Sequence, residues 1–245
     1  MKPTLKSLTE RGPILVMGAH PDDIELGCGG VVALETQVGR AAHFVICSDG
    51  EAATHGSPRQ RRIEAKKAAG LLGASLQWLA LDGDARLEMK AAHAIALARI
   101  IRVQRPEFVL APSLAENQHP DHWRLGRLAR DAARIARYGG VKELRALAPH
   151  RISQLFYYAL TAASEPRDLS PLLIDVSAPS VLAAWTAAMQ AHRSQMSAHN
   201  YIDMQLLRAR LHGESAGVRH AMALFPNDPP LLTSLAQLGR GARQY

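Results

Sequence analysis

Residues 13–23 read PILVMGAHPDD: an unbroken apolar run through Met17, then Gly18, then His20, Asp22 and Asp23. An apolar stretch of this length, without alternation, is the pattern of a strand covered on both faces. The polar cluster directly after it marks the strand's carboxyl end as a place for chemistry. The pattern recurs downstream. Residues 41–47 are followed by Ser48-Asp49-Gly50-Glu51, residues 76–81 by Asp82-Gly83, and residues 107–111 by a loop, 112–120, that ends in His119 and Pro120. Between these runs, helices are predicted over 27–38, 59–72, 90–104 and 121–138, punctuated by Gly39, Gly73, Pro106 and Gly139-Gly140. Strands alternating with helices predict an α/β, Rossmann-like, mostly parallel sheet with helices on both faces and the active site at the carboxyl ends of the strands. Farther on, 151–160 and 172–176 read as strands, and 178–192 and 201–211 as helices.

The chain has 245 residues, 47% of them hydrophobic and 21% charged. That length suits a single domain, 1–245, with a core over 13–160 and a less regular C-terminal part, 161–245. No apolar run is long enough to span a bilayer. The first residues, with Lys2, Lys6, Glu10 and Arg11, lack the apolar segment of a secretory signal, so the expectation is a cytoplasmic protein with no membrane partner. The net charge of +7 raises the question of nucleic acid. The densest basic cluster, Arg59 to Lys67, has no interleaved aromatics and reads as a solvated helix face, so no nucleic-acid partner is expected. Two cysteines, Cys28 and Cys47, suggest small buried hydrophobes and no disulfide. His43, His93, His199, His212 and His220 carry no chemistry in this reading. Leu231 to Tyr245, with Gly239-Arg240-Gly241, has no assigned function.

Two segments dominate the chemistry. His20-Pro21-Asp22-Asp23 follows the first strand, and His119-Pro120-Asp121-His122 follows the fourth; together they hold three imidazoles and three carboxylates. A hydrolytic metal needs three such ligands and one position left for water. The reaction also needs a base for the water and an acid for the leaving group. Either segment alone is weak, and Asp121 after a proline also suits the first turn of a helix. Both at carboxyl ends of one parallel sheet make a shared metal site. Imidazole and carboxylate without thiolate fit zinc, iron or manganese.

Residues 19–30 (AHPDDIELGCGG), 48–51 (SDGE), the pair Arg61 and Glu64, and 119–122 (HPDH) together resemble the PIG-L/LmbE-like deacetylase family. The likeness covers most of the chain and is strongest to about residue 160. Glu25 to Gly30, and Pro149-His150-Arg151 before Phe156-Tyr157-Tyr158, look like the bacillithiol-biosynthesis branch. The resemblance implies His20, Asp23 and His122 as ligands of Zn2+, with Fe2+ an alternative. It implies Asp22 as general base, His119 as the group that protonates the amine or steadies the oxyanion, and Asp121 as the carboxylate that orients an imidazole. Glu51, Arg61 and Asp82 become expected sugar contacts, with Arg62 competing for the inward place of Arg61. His192, in a His-x-Ser-Gln segment, is expected at the site or at a subunit contact. The implied reaction removes the acetyl group from an N-acetylglucosamine-type glycoside, N-acetylglucosaminyl-malate being the lead. The implied assembly is a homo-oligomer, trimer or hexamer, although no heptad or exposed apolar stripe in the sequence marks its contact. The C-terminal part would shape substrate entry and assembly. The sequence departs from the family pattern at Trp185, at His220-Ala221-Met222 and at Thr54-His55-Gly56-Ser57. An amidase acting on a non-sugar acylated amine would share every ligand. A metal-stabilised binding protein without turnover would need neither Asp22 nor His119.

Overall fold

β1 (Ile14–Gly18) is buried along its whole length, and the sheet is built outward from it. The computed structural model describes residues 11–196, 200–234, 237 and 241. His199, Gly239-Arg240 and the N-terminal Lys2, Lys6 and Glu10 lie outside the described residues. In chain order the elements are β1, α1 (Asp23–Gln37), β2 (Ala42–Ile46), α2 (Pro58–Leu71), β3 (Ser75–Trp78), α3 (Ala91–Gln104), β4 (Phe108–Pro112), α4 (Pro120–Ala136), β5 (Gln154–Tyr158), β6 (Leu172–Asp175), α5 (Pro179–Ala191), α6 (Tyr201–Ala216) and β7 (Ala221–Pro226). The strand order is β3-β2-β1-β4-β5-β7-β6. β1 to β5 pair in parallel, while β7 runs antiparallel to both β5 and β6.

Alternate residues of each central strand feed two separate cores. Ile14, Val16, Phe44 and Ile46 pack with α1, α2 and α5 on one face. Leu15, Met17, Val45 and Val109 pack under α3 and α4 on the other. Each fully buried Leu or Ile side chain contributes about 1.5–3 kcal/mol. Double coverage is what makes β1 apolar throughout. Cys28 and Cys47 are both buried and free, as their surroundings suggested. No helix among the described residues is long and apolar enough to cross a membrane.

The structure departs from the sequence expectation in four places. α1 begins at Asp23, so the glycines expected to open the helix lie inside it. They serve close packing: a Cβ on Gly27 would lie 2.1 Å from the Tyr158 ring, and one on Gly29 2.7 Å from Trp185. β7 was not foreseen, because Ala221 to Phe225 has few β-branched residues and reads by propensity as helix. α6 runs past Leu211 to Ala216 and stops at Gly217, which holds φ 63°. Finally, Met204, Leu207 and Leu211 are exposed at helical spacing on α6, an apolar stripe that the sequence alone did not reveal.

α4 lies unusually close to β4. A Cβ on Gly126 would meet the Pro112 carbonyl oxygen at 2.4 Å. Gly126→Val is therefore expected to destabilise the chain by about 1–3 kcal/mol, the usual range for overpacking. Urea denaturation with an unchanged midpoint would refute this close approach as a constraint.

Candidate metal centre

The strand order reverses between β1 and β4, and open α/β sheets leave a crevice beyond the strand ends at such a point. The turn after β1 brings His20 to Asp23 to this crevice. The loop after β4 and the first turn of α4 bring His119 to His122. Asp23 Oδ2 accepts hydrogen bonds from the backbone N–H of Ala19 (2.8 Å) and His20 (2.9 Å), which tightens the turn. Its Oδ1 stands 3.1 Å from His122 Nε2, and His20 Nδ1 stands 3.2 Å from that same nitrogen. Two imidazole nitrogens and one carboxylate oxygen thus converge where at most one proton fits between the rings. This donor set fits a divalent ion of the zinc type. Nitrogens of His20, His119 and His122 also lie within 4.8 Å of one another, as do donor atoms of His20, Asp84, His119 and Asp121.

The far edge of His20 is backed by acids. Its Nε2 lies 3.0 Å from Asp84 Oδ1 and 3.4 Å from Asp121 Oδ2. A carboxylate behind a ligating imidazole fixes its tautomer and raises its basicity. Burial pulls the His20 pKa down, but Asp23, Asp121 and Asp84 together hold it well above the ordinary value. Burial pushes Asp23 up, yet His122 and His20 outweigh it and keep that carboxyl well below its usual range. The cluster thus favours positive charge at its centre, which a metal ion would supply.

Asp22 is set differently. Its backbone is left-handed (φ 108°) although it is not glycine, and its side chain does not cap α1. Such a conformation costs on the order of 1–3 kcal/mol and persists only where the surroundings impose it. Burial raises its pKa to about 6, with Arg61 opposing the rise and Asp23 adding to it. Arg61 Nη2 donates to Pro21 O (2.7 Å) and lies 3.4 Å from Asp22 Oδ2, while Nη1 donates to Gly50 O (2.9 Å). His119 is the N-cap of α4, and its Nδ1 accepts from the Asp121 N–H at 3.3 Å. The neutral ring then carries its proton on Nε2. Burial, His20 and His122 lower the His119 pKa and favour that neutral form.

These residues line a cavity of about 420 Å3. His20, Asp22, Asp23, Arg61, His119 and His122 all border it, and Asp121 lies directly beneath His20. Asp121 serves the His20 ring and also accepts from Ala85 N and Leu87 N, whereas its link to His119 is through the backbone. Arg61 is the inward member of its pair; Arg62 turns out to Asp49 and the Trp78 ring. Glu51 is exposed and accepts from Asp84 N (2.9 Å) and Asp49 N (3.1 Å), so it braces two loops and does not border the cavity. Asp82 also stays outside, paired with Lys90 at 2.6 Å. His192 is buried behind the site, 3.4 Å from Glu25 Oε2, and reaches neither the cavity nor the surface.

Asp84 is the residue that the sequence reading missed. It lies two positions after Asp82, and nothing in Asp82-Gly83-Asp84 ranks one acid over the other. The signal was Gly83, whose φ of 101° turns the chain so that Asp84 points inward. Leu160, after β5, and Tyr201, Met204 and Gln195 from the C-terminal part also border the cavity, as does Thr54. Ser194 locks this part to α2, its N–H and hydroxyl donating to Glu64 at 3.0 and 2.6 Å. Trp185 is fully buried and donates from Nε1 to Glu25 O at 2.7 Å, within the turn where Cys28 leaves helical geometry.

Comparison with known proteins bears on this site. Residues 15–133 match the family model described as PIG-L: GlcNAc-PI de-N-acetylase. A 4-oxalmesaconate hydratase of Pseudomonas putida is 34% identical over 55% of this chain and 56% of its own length. A diacetylchitobiose deacetylase of Thermococcus kodakarensis is 31% identical over 59% of each chain. The chain thus spans little more than half the length of these curated relatives. The crystal structure of the conserved protein TT1542 from Thermus thermophilus superposes with a TM-score of 0.79 at 30% identity, covering 90% of this chain and 96% of that one.

Zinc content tests which of the candidate residues would hold a metal. His20→Ala and His122→Ala should each lose stoichiometric zinc in equilibrium dialysis, and Asp22→Ala should keep it. Asp84→Asn should weaken zinc binding about 10–100-fold, the range for an outer carboxylate behind a ligating histidine. Full zinc in His122→Ala would remove that residue from the ligand set.

Proposed function

We propose that this chain, whose residues 15–133 match the PIG-L family model, is a zinc-dependent hydrolase that removes the acetyl group from an acylated amine. The observation that carries this reading is Asp22, a carboxylate held in strained backbone at the cavity wall, beside the candidate ligands, with its side chain left free of any capping bond. His20, Asp23 and His122 would hold the ion. When bound, the metal supplies Lewis acidity toward the acyl carbonyl and toward water. Asp22, with a pKa near 6, is ionised at neutral pH and still basic enough to take the proton of the attacking water. The water oxygen bonds to the acyl carbon, the C–N bond breaks, and the proton passes to the departing amine. His119 presents its Nε2–H toward the developing oxyanion or that amine, and the Asp121 N–H keeps the ring in this tautomer. Asp121 and Asp84 hold His20 in place.

An N-acetylglucosamine-type glycoside is the lead substrate, with N-acetylglucosaminyl-malate as its most specific form. The diacetylchitobiose deacetylase among the relatives supports the sugar class. The polar wall of Thr54, Asp84 and Gln195 offers partners for ring hydroxyls. A second reading has its own support: the Pseudomonas putida relative is named a hydratase, and an activated water with a carboxylate base can also add across a conjugated double bond. A homo-oligomeric, cytoplasmic protein accompanies the first reading, with the exposed stripe on α6 as a candidate contact.

The deciding experiment offers N-acetylglucosaminyl-malate, diacetylchitobiose and non-sugar N-acetyl amines to zinc-loaded protein and follows acetate. In parallel, an unsaturated dicarboxylate is followed by loss of its ultraviolet absorbance. Chelator-sensitive acetate release, about 10²–10⁴-fold slower in Asp22→Ala, is expected. Hydration without acetate release would replace the deacetylase reading by the hydratase one.

A further inference from the structure

At the amino-terminal end of the parallel strands, away from the metal centre, four arginines meet around a second cavity. Arg130 and Arg134 project from α4, Arg137 follows its last turn, and Arg151 leads into β5. The cavity encloses about 270 Å3, and Gln154 and Asn227 add polar atoms to its wall. Arg130, Arg134 and Arg137 fall at i, i+4 and i+7, so one helix face carries three like charges, an arrangement that disfavours the helix. Among the described residues, none of the four guanidiniums donates a hydrogen bond or pairs with a carboxylate, and Arg130 Nε is buried without a partner. Arg137 has only the Tyr138 ring, 5.4 Å from its guanidinium carbon.

Basic residues at a helix C-terminus ordinarily serve its free carbonyls. Here the last carbonyl of α4 and the segment after it are served from elsewhere. Arg102 on α3 donates to Ala136 O at 2.9 Å, to Tyr138 O at 2.6 Å and to Leu144 O at 2.8 Å. The one carboxylate in the cavity wall, Asp228, accepts from Asn227 Nδ2 at 2.7 Å. The arginines are thus left facing a concave space with their donors unused.

We propose that this cavity binds a small phosphate-bearing anion. Guanidinium forks match the oxygens of such a group two at a time, and several of them converging favour a multiply charged oxyanion over a single carboxylate. The volume lies just below that of drug-sized ligand sites and suits a phosphate with a short attached group. This inference does not depend on the deacetylase reading.

The test titrates zinc-loaded full-length protein with inorganic phosphate, and separately with succinate, by calorimetry at constant ionic strength. The proteins are the wild type, Arg130→Gln/Arg134→Gln and Arg151→Gln. Wild type should bind phosphate saturably at one per chain, and succinate at least tenfold more weakly. The double variant should lose at least tenfold in phosphate affinity while keeping its melting temperature and zinc content. Arg151→Gln, which leaves α4 untouched, should lose several-fold. Absence of saturable binding, or equal binding in the double variant, would overturn the proposal, the latter placing phosphate at the metal centre. Succinate as tight as phosphate would overturn the phosphate assignment. A change of oligomeric state in the variant, with no phosphate bound by wild type, would make the arginines a contact between copies.

Discussion

His20 is held on both edges by carboxylate, and the rest of the site is arranged around that ring. Asp23 stands on its Nδ1 side, Asp84 and Asp121 on its Nε2 side. Each acid also closes a piece of backbone. Asp23 ties the turn after β1, Asp121 ties Ala85 and Leu87, and Asp84 accepts from Ala52. The four loops after β1, β2, β3 and β4 are thus tied by the same groups that surround one imidazole. Buried carboxylates so close together repel unless a cation lies among them. A metal ion would therefore serve both as the centre of the chemistry and as the charge that lets these loops meet.

The central fold was legible because β1 is buried on both faces. An apolar run with no polar interruption has few alternatives, and glycines and prolines marked most helix ends. The two segments at residues 20–23 and 119–122 were legible for a related reason: the order reversal between β1 and β4 places the carboxyl ends of those two strands at one crevice. What the sequence could not give was direction. Asp82 and Asp84 are two apart, and only the turn at Gly83 decides that Asp84 faces His20 and Asp82 faces Lys90. Glu51 reads like a ligand for a sugar, yet its oxygens are occupied by the backbone of Asp49 and Asp84. Arg61 and Arg62 are adjacent, and the phase of α2 separated them.

The last third was harder to read because its packing is tertiary throughout. β7 takes its place from pairing with β5 and β6 and has little intrinsic strand preference. His192 looks like a site residue by its setting in the sequence, but it is buried against Glu25. Burial lowers its pKa, but Glu25 and then Asp22 and Glu64 outweigh that and raise it above the ordinary value. Trp185 occupies space that the glycines of α1 leave open. A lysine there would have to bury its charge between two helices, so the tryptophan and those glycines must be understood as one packing unit.

On the proposed reading, water activation and substrate choice would fall to different parts of this architecture. The candidate ligands and Asp22 come from the turns after β1 and β4, which the sheet holds rigidly. The apolar wall of Leu160, Tyr201 and Met204, and the polar Gln195 and Thr54, come from segments that follow β5 or flank α2. These segments are tied to the rest by hydrogen bonds such as Ser194 to Glu64, Gln195 to His55 O and Gln205 to Leu160 O. Residues at such links can change without disturbing the carboxylates around His20. That division explains how relatives named as a hydratase and as a deacetylase can both match this chain over little more than half its length. A hydroxide equivalent and a base are common to both reactions. On the proposed reading, the electrophile that reaches them would be chosen by the wall of Leu160, Tyr201, Met204 and Gln195.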